Sequence, residues 1–228
     1  QRIYPALLNL QKQHSALNIH VEVAPRRTIL SGIANNTLEL GIVTNMPDTE
    51  DVQSEYLGEE PLGLILPRAL LGSDLATSDN AKSADVGLQK ADDDLQKADG
   101  SIKNVVTTLG LINHPDAMHY VQRYFNDCGE ADLASINPNQ LHHTGYINQL
   151  SQILLPVSEG LGFTVLPTST LNFVSFAEKL AVYQAKNDVT EPLYSVQTPH
   201  STLPARYEIV KKKISQVLGS DSAPTIRN

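Results

Sequence analysis

Apolar residues recur along the chain with two periods, and the switches between them mark out the elements. At the N-terminal end Ile3, Ala6, Leu7 and Leu10 fall on one helical stripe, with Pro5 tolerated in the first turn. In LNIHVEVA (17–24) the period drops to two. Ile19, Val21 and Val23 alternate with His20 and Glu22, which predicts a half-buried strand. RTILSGIANN (27–36) reads as a short helix ending at its Asn pair. LELGIVT (38–44) is a nearly continuous apolar strand of the kind that helices cover on both faces, and LGLILP (62–67) is another.

The same alternation resumes after residue 104. VVTTLGLI (105–112) predicts a strand. HPDAMHYVQRYFNDCG (114–129) predicts a helix with Pro115 near its start, Gly129 at its end, and Ala117, Tyr120, Val121, Tyr124 and Phe125 on one face. LHHTGYI (141–147) can be a strand, and NQLSQILLPVSEG (148–160) a helix burying Leu150, Ile153, Leu154 and Val157. In GLGFTVLP (160–167), Gly160 or Gly162 supplies the positive φ that ends this helix. Phe163 to Leu166 is then a short buried strand that Pro167 halts. LYSVQT (193–198) adds a strand, and LPARYEIVKKKISQVLG (203–219) closes the chain with an amphipathic helix.

Strands alternating with helices imply an α/β protein with mostly parallel sheets. The pattern divides it into two Rossmann-like lobes. Residues 1–71 plus 200–228 form lobe I, and 105–199 form lobe II. Between them runs an extended inter-lobe segment, 72–104, which is polar, acidic and locally repetitive: LQKAD occurs twice at a seven-residue offset. Leu88, Ala91, Leu95, Ala98 and Ile102 are spaced as on an amphipathic surface helix.

Composition narrows the functional classes. The 228 residues are 41% apolar and 18% charged, ordinary for a folded protein, and carry a net charge of -8. That balance argues against nucleic-acid binding by this chain, because phosphate neutralisation needs clustered Lys and Arg. The one dense basic run, Lys211 to Lys213, sits on the polar face of the last helix and reads as solvated surface. Cys128 is the single cysteine, so neither an internal disulfide nor a cysteine-rich metal site is available. No apolar run approaches a membrane span, and Gln1 to Leu10 looks like a helix rather than a signal peptide. There is no Gly-rich phosphate loop, GxSxG elbow or HExxH pair, and no nucleophile stands beside a base. No catalytic residue, cofactor or metal is therefore expected.

Three motifs occurring in order carry a family resemblance. YPALLNLQKQHSALNIHVEV, then LELGIVTN, then GLGFTVLP resembles the effector-binding domain of LysR-type transcriptional regulators. The resemblance implies a type 2 periplasmic-binding-protein-like fold with a cleft between the lobes. It implies a cytoplasmic, dimeric or higher homo-oligomeric regulator that senses a small polar or anionic metabolite. DNA is bound in that family by an N-terminal winged helix-turn-helix, which this chain lacks, and no membrane is involved. The alternative with the same fold is the solute-binding protein of a transporter.

Open α/β sheets bind ligands outside the carboxyl ends of their strands, where helix N-termini offer unpaired N–H groups. That rule nominates Thr44 and Asn45 after the LELGIV strand, and Asn113 and His114 after TLGLI. It also nominates Tyr146, Asn148 and Gln149 after HHTG. Among these, the family resemblance favours a hydroxyl contact from Thr44 and a polar contact near Asn148. Each has a plainer role available, as a strand end or a helix cap. His142 and His143 are adjacent strand residues pointing to opposite faces, so they do not chelate a metal.

Overall fold

In the computed structural model, residues 3–70, 101–199 and 202–218 are described. The helices are α1 (Ile3–Gln13), α2 (Arg26–Ala34), α3 (Ile102–Leu109), α4 (Ala117–Asp127), α5 (Ala131–Ala134), α6 (Leu154–Ser158) and α7 (Ala205–Leu218). The strands are β1 (Gly41–Thr44), β2 (Gln53–Pro67), β3 (Leu111–Asn113), β4 (His143–Tyr146), β5 (Thr164–Pro167), β6 (Leu180–Val182) and β7 (Val189–Gln197). The chain divides into two compact units. Unit 1 comprises Gln1–Glu60 and Thr190–Asn228, and unit 2 comprises Pro61–Val189. The sequence pattern placed its lobe boundaries at 71, 105 and 199. The segment it read as an amphipathic helix from Leu88 lies outside the described residues, except for Ile102.

Unit 1 is held by two apolar clusters. Leu7 of α1 packs with Leu57, Leu193, Ile214 and Leu218, so α1 and α7 lie together over the sheet. Ile33 of α2 packs with Val43, Val52 and Val196. β1 runs antiparallel to β7, Gly41 opposite Val196 and Thr44 opposite Leu193. β7 lies in turn between β1 and β2. Lys211 is not the solvated residue that the basic run suggested: it reaches Glu55 at 2.8 Å and Glu208 at 2.9 Å, and its side chain is 13% exposed.

The strand expected at 17–24 does not form. Residues 18–25 belong to no helix or strand, and Val23 is 95% exposed. Alternation alone does not make a strand, because the backbone also needs a neighbour with which to pair. Parallel pairing also falls short of expectation in the sheets. Among the described residues β1 with β7, β2 with β5 and β2 with β6 pair antiparallel, while β3 with β4 and the Leu111–Phe163 bridge are parallel.

Unit 2 contains the largest core, built on β2, α3, β3, α4 and β5. The segment VVTTL is helical, not a strand. Ile102, Val105, Val106 and Leu109 are buried at a spacing of three and four, and Ser101 caps the helix by accepting from the Lys103 N–H. One buried helical stripe outweighed the strand propensity of its valines and threonines. The helix read at 148–160 shrinks to α6. Pro156 has no N–H to give the carbonyl of Gln152, so the helical ladder cannot run unbroken from 149, and Leu150 is 40% exposed.

The aromatic face of α4 belongs to the core: Tyr120, Tyr124 and Phe125 are buried, and the Phe125 and Phe163 rings stack at 6.5 Å. The joint after α6 divides its work between two glycines. Gly160 takes φ 78°, while Gly162 lets β5 approach β3 and β4 closely.

Candidate functional site

In unit 1 the end of β1 supplies the first candidates. Thr44 is half-buried, and its carbonyl accepts from Arg26 Nε at 3.1 Å. Arg26 is the first residue of α2, so a half-buried guanidinium lies next to the Thr44 backbone. Asn45 adopts φ 58°, a conformation Asn tolerates better than most residues, and its N–H donates to the Pro192 carbonyl at 3.3 Å. Nothing in the sequence pattern shows Arg26 reaching the strand end.

Unit 2 gathers more of the predicted residues. β3 and β4 are parallel with Asn113 opposite Tyr146, so both strands end on the same edge. There the Asn113 side-chain amide lies 3.4 Å from His143 Nδ1, and the Asn113 carbonyl accepts from the Ile147 N–H at 2.9 Å. α4 begins just beyond, at Ala117, without a side-chain cap from Asp116. Tyr146 is 64% exposed, and Asn148 and Gln149 are exposed. They do not open a helix as predicted, because α6 starts at Leu154.

His114 departs from its expected place. It is buried, with Nε2 3.3 Å from the Val165 carbonyl and its ring 5.9 Å from that of Tyr120. Burial pushes its pKa below the usual imidazole value, partly offset by the Val165 carbonyl and Asp116. A neutral imidazole tying α4 to β5 is what the geometry makes of it. His143, by contrast, stands beside Asn113. The strand register that joins them is invisible in sequence.

These groups can donate to and orient oxygens of a small polar ligand: a hydroxyl at Thr44, and an amide, an imidazole and a phenol at the β3–β4 edge. Among the described residues no group of three His, Cys, Asp or Glu could hold a metal ion, and no helix is long and apolar enough to cross a membrane. His142 packs against Gly110 while His143 faces Asn113, so the two imidazoles serve different places.

Two α/β units that the chain enters in the order 1–2–1 define a type 2 periplasmic-binding-protein-like fold. Residues 1–80 match the family model described as the LysR substrate binding domain. The solved structures agree over nearly the whole length. A cysteine-to-serine mutant of the OxyR2 regulatory domain from Vibrio vulnificus superposes with TM-score 0.65 at 11% identity, covering 95% of this chain and 90% of that one. The CcmR regulatory domain of Synechocystis PCC6803, in complex with 2-PG, gives 0.64 at 15% identity over 96% and 92%. A hydrogen peroxide-bound OxyR mutant from Corynebacterium glutamicum gives 0.63 at 15% over 95% of this chain and 63% of that longer one. No curated protein matched the sequence. The resemblance read from the three motifs is thus borne out.

Proposed function

We propose that this chain is the effector-sensing domain of a LysR-type transcriptional regulator, not an enzyme, and that its effector is a small polar or anionic metabolite. The observation that carries the reading is the LysR substrate binding match over residues 1–80, set within a fold that follows LysR-type regulatory domains over 95% of the chain. The contacts we assign are Thr44 and Asn45 in unit 1, and Asn113, Tyr146, Asn148 and Gln149 in unit 2. The CcmR structure holds 2-PG, and by analogy a compact oxygen-rich ligand suits these groups. The regulator works in the cytoplasm as a homodimer or higher homo-oligomer, with DNA bound outside this chain. Sensing by an internal disulfide, which needs two thiols, is closed to a chain whose single thiol, Cys128, is buried.

The test is a thermal-shift screen of small carboxylates and phosphorylated carboxylates, followed by calorimetric titration of each hit. Thr44→Val keeps the shape and removes the hydroxyl. Leaving a ligand oxygen without its hydrogen-bond partner costs about 1–3 kcal/mol, so affinity falls roughly five- to a hundred-fold. Unchanged affinity in Thr44→Val, Asn113→Ala and Asn148→Ala alike would place the ligand elsewhere. Turnover of a bound metabolite that disappears with these residues would instead favour an enzyme.

A further inference from the structure

Several cations of the chain have a carboxylate at hand. Lys179 reaches Glu159, Lys186 reaches Glu130, and Lys211 reaches Glu55. Arg26 and Arg68 instead give their Nε–H to a backbone carbonyl, that of Thr44 at 3.1 Å and that of Glu178 at 2.7 Å. Arg68 is exposed, so water solvates the rest of its guanidinium, whereas Arg26 is half-buried. Among the described residues no carboxylate pairs with Arg26, and its two terminal NH2 groups make no hydrogen bond. Arg26 also opens α2, the end of a helix that disfavours a cation, and the first turn holds no acidic residue. Thr44, whose carbonyl holds Arg26, has a hydroxyl that likewise makes no hydrogen bond among the described residues. A guanidinium so placed costs stability that an acidic residue would not. That is the pattern expected where binding rather than folding fixes the residue.

We propose that Arg26 makes the effector obligatorily anionic: its terminal NH2 groups take two oxygens of a carboxylate or phosphoryl group, next to the contact assigned to Thr44. This rests on the effector-sensing reading and narrows its polar or anionic ligand to one that carries an oxyanion. The planar guanidinium presents its donors as a fixed fork. With Nε committed to the Thr44 carbonyl, the plane of the group is set relative to β1. The edge formed by the two terminal nitrogens is then the one left for a bidentate contact. A Lys ammonium offers no such pair of parallel donors, so the fork reads paired oxygens as well as charge. A neutral amide or alcohol leaves the Arg26 charge half-buried and uncompensated, and the site discriminates against it by that cost.

The experiment titrates the 228-residue chain with inorganic phosphate, with succinate and with its neutral diamide succinamide, following the Arg26 Nε resonance by NMR and the heat by calorimetry. Phosphate and succinate should shift that resonance saturably, and succinamide should not. Arg26→Gln should weaken both oxyanions roughly ten- to a hundred-fold, the range of a hydrogen bond to a charged group, with circular dichroism unchanged. Arg26→Lys, which keeps the charge and loses the fork, should fall between the two. If Arg26→Gln does not fold, Arg26→Lys decides, and unchanged affinity in it overturns the proposal. So does the absence of saturable oxyanion binding up to about 50 mM, where a millimolar site is filled. Equal weakening of succinate and succinamide in Arg26→Gln would reduce Arg26 to a clamp between α2 and β1, and overturn it as well. Succinamide binding that is lost in Thr44→Val but kept in Arg26→Gln overturns the charge selection while the effector-sensing reading stands. Oxyanion binding that needs Arg26 but not Thr44, Asn113 or Asn148 supports the charge selection and removes the other assigned contacts.

Discussion

Replacing the glycines around β3 one at a time by alanine should give three different outcomes. Gly160 has φ 78°, where an L-residue is strained by roughly 1–2 kcal/mol, so Gly160→Ala loses about that much. At Gly162 the obstacle is space. A Cβ there would sit 2.7 Å from Thr144 Oγ1, 2.8 Å from Ile112 Cδ1 and 2.9 Å from Ile112 Cγ1. Thr144 is exposed and its hydroxyl can swing away. Ile112 is 1% exposed and packed among α3, α4 and β5, so either its rotamer or β3 itself must move. Overpacking of that kind costs about 1–3 kcal/mol. Gly145 is the control: its Cβ would lie 3.6 Å from Ile112 Cδ1, ordinary contact, so Gly145→Ala should stay within about 0.5 kcal/mol of wild type.

The chain holds no tryptophan, and its two units need not unfold together. The readout is therefore urea unfolding by circular dichroism, combined with exchange of the amides of residues 105–125 to isolate unit 2. Gly162→Ala should also weaken effector binding more than Gly160→Ala does, because Ile112 precedes Asn113 and Thr144 precedes the Tyr146 edge. Destabilisation of unit 2 by Gly145→Ala as large as that by Gly162→Ala would refute the close approach of Gly162 to Ile112 as the cause. So would a Gly162→Ala variant with both stability and binding unchanged.

Further outcomes are open to simple assays. His114 has a folded-state pKa below its unfolded value, so its contribution is intact above about pH 6.5 and is lost as pH falls through the folded value, where the unfolded chain takes up the proton first. The pH dependence of urea unfolding between about 7 and 5 should accordingly be shallower in His114→Gln. Ser101→Ala removes the cap of α3 and should cost about 1 kcal/mol, read by the same unfolding curve. Gel shift at physiological salt should find no submicromolar DNA binding by this chain, whose charge of -8 offers no counterion release. Light scattering should find a dimer that Leu8→Glu weakens, since Tyr4 and Leu8 are the exposed apolar residues of α1 while Leu7 and Leu10 face inward.

What was legible in the sequence was whatever a single segment decides by itself. The stripes of α1, α2, α4 and α7 are each fixed by one amphipathic face, and their positions hold to within a few residues. Where two segments compete for the same neighbour, the pattern failed. Ile19, Val21 and Val23 specify a face but not a partner, so no strand results, and VVTT is β-prone locally yet helical because Val105 and Val106 continue the stripe of Ile102 and Leu109. The candidate site follows the same division. Rules about strand ends located Thr44, Asn113 and Tyr146, each the last residue of its strand. No local rule could find that Arg26 turns back to Thr44 across 18 residues, or that His143 meets Asn113 across 30. Nor could any rule see that His114, one residue past a strand end, turns inward to Val165. A single step along the backbone there reverses the direction of the side chain, so the residue nearest the predicted mouth is the one the core takes.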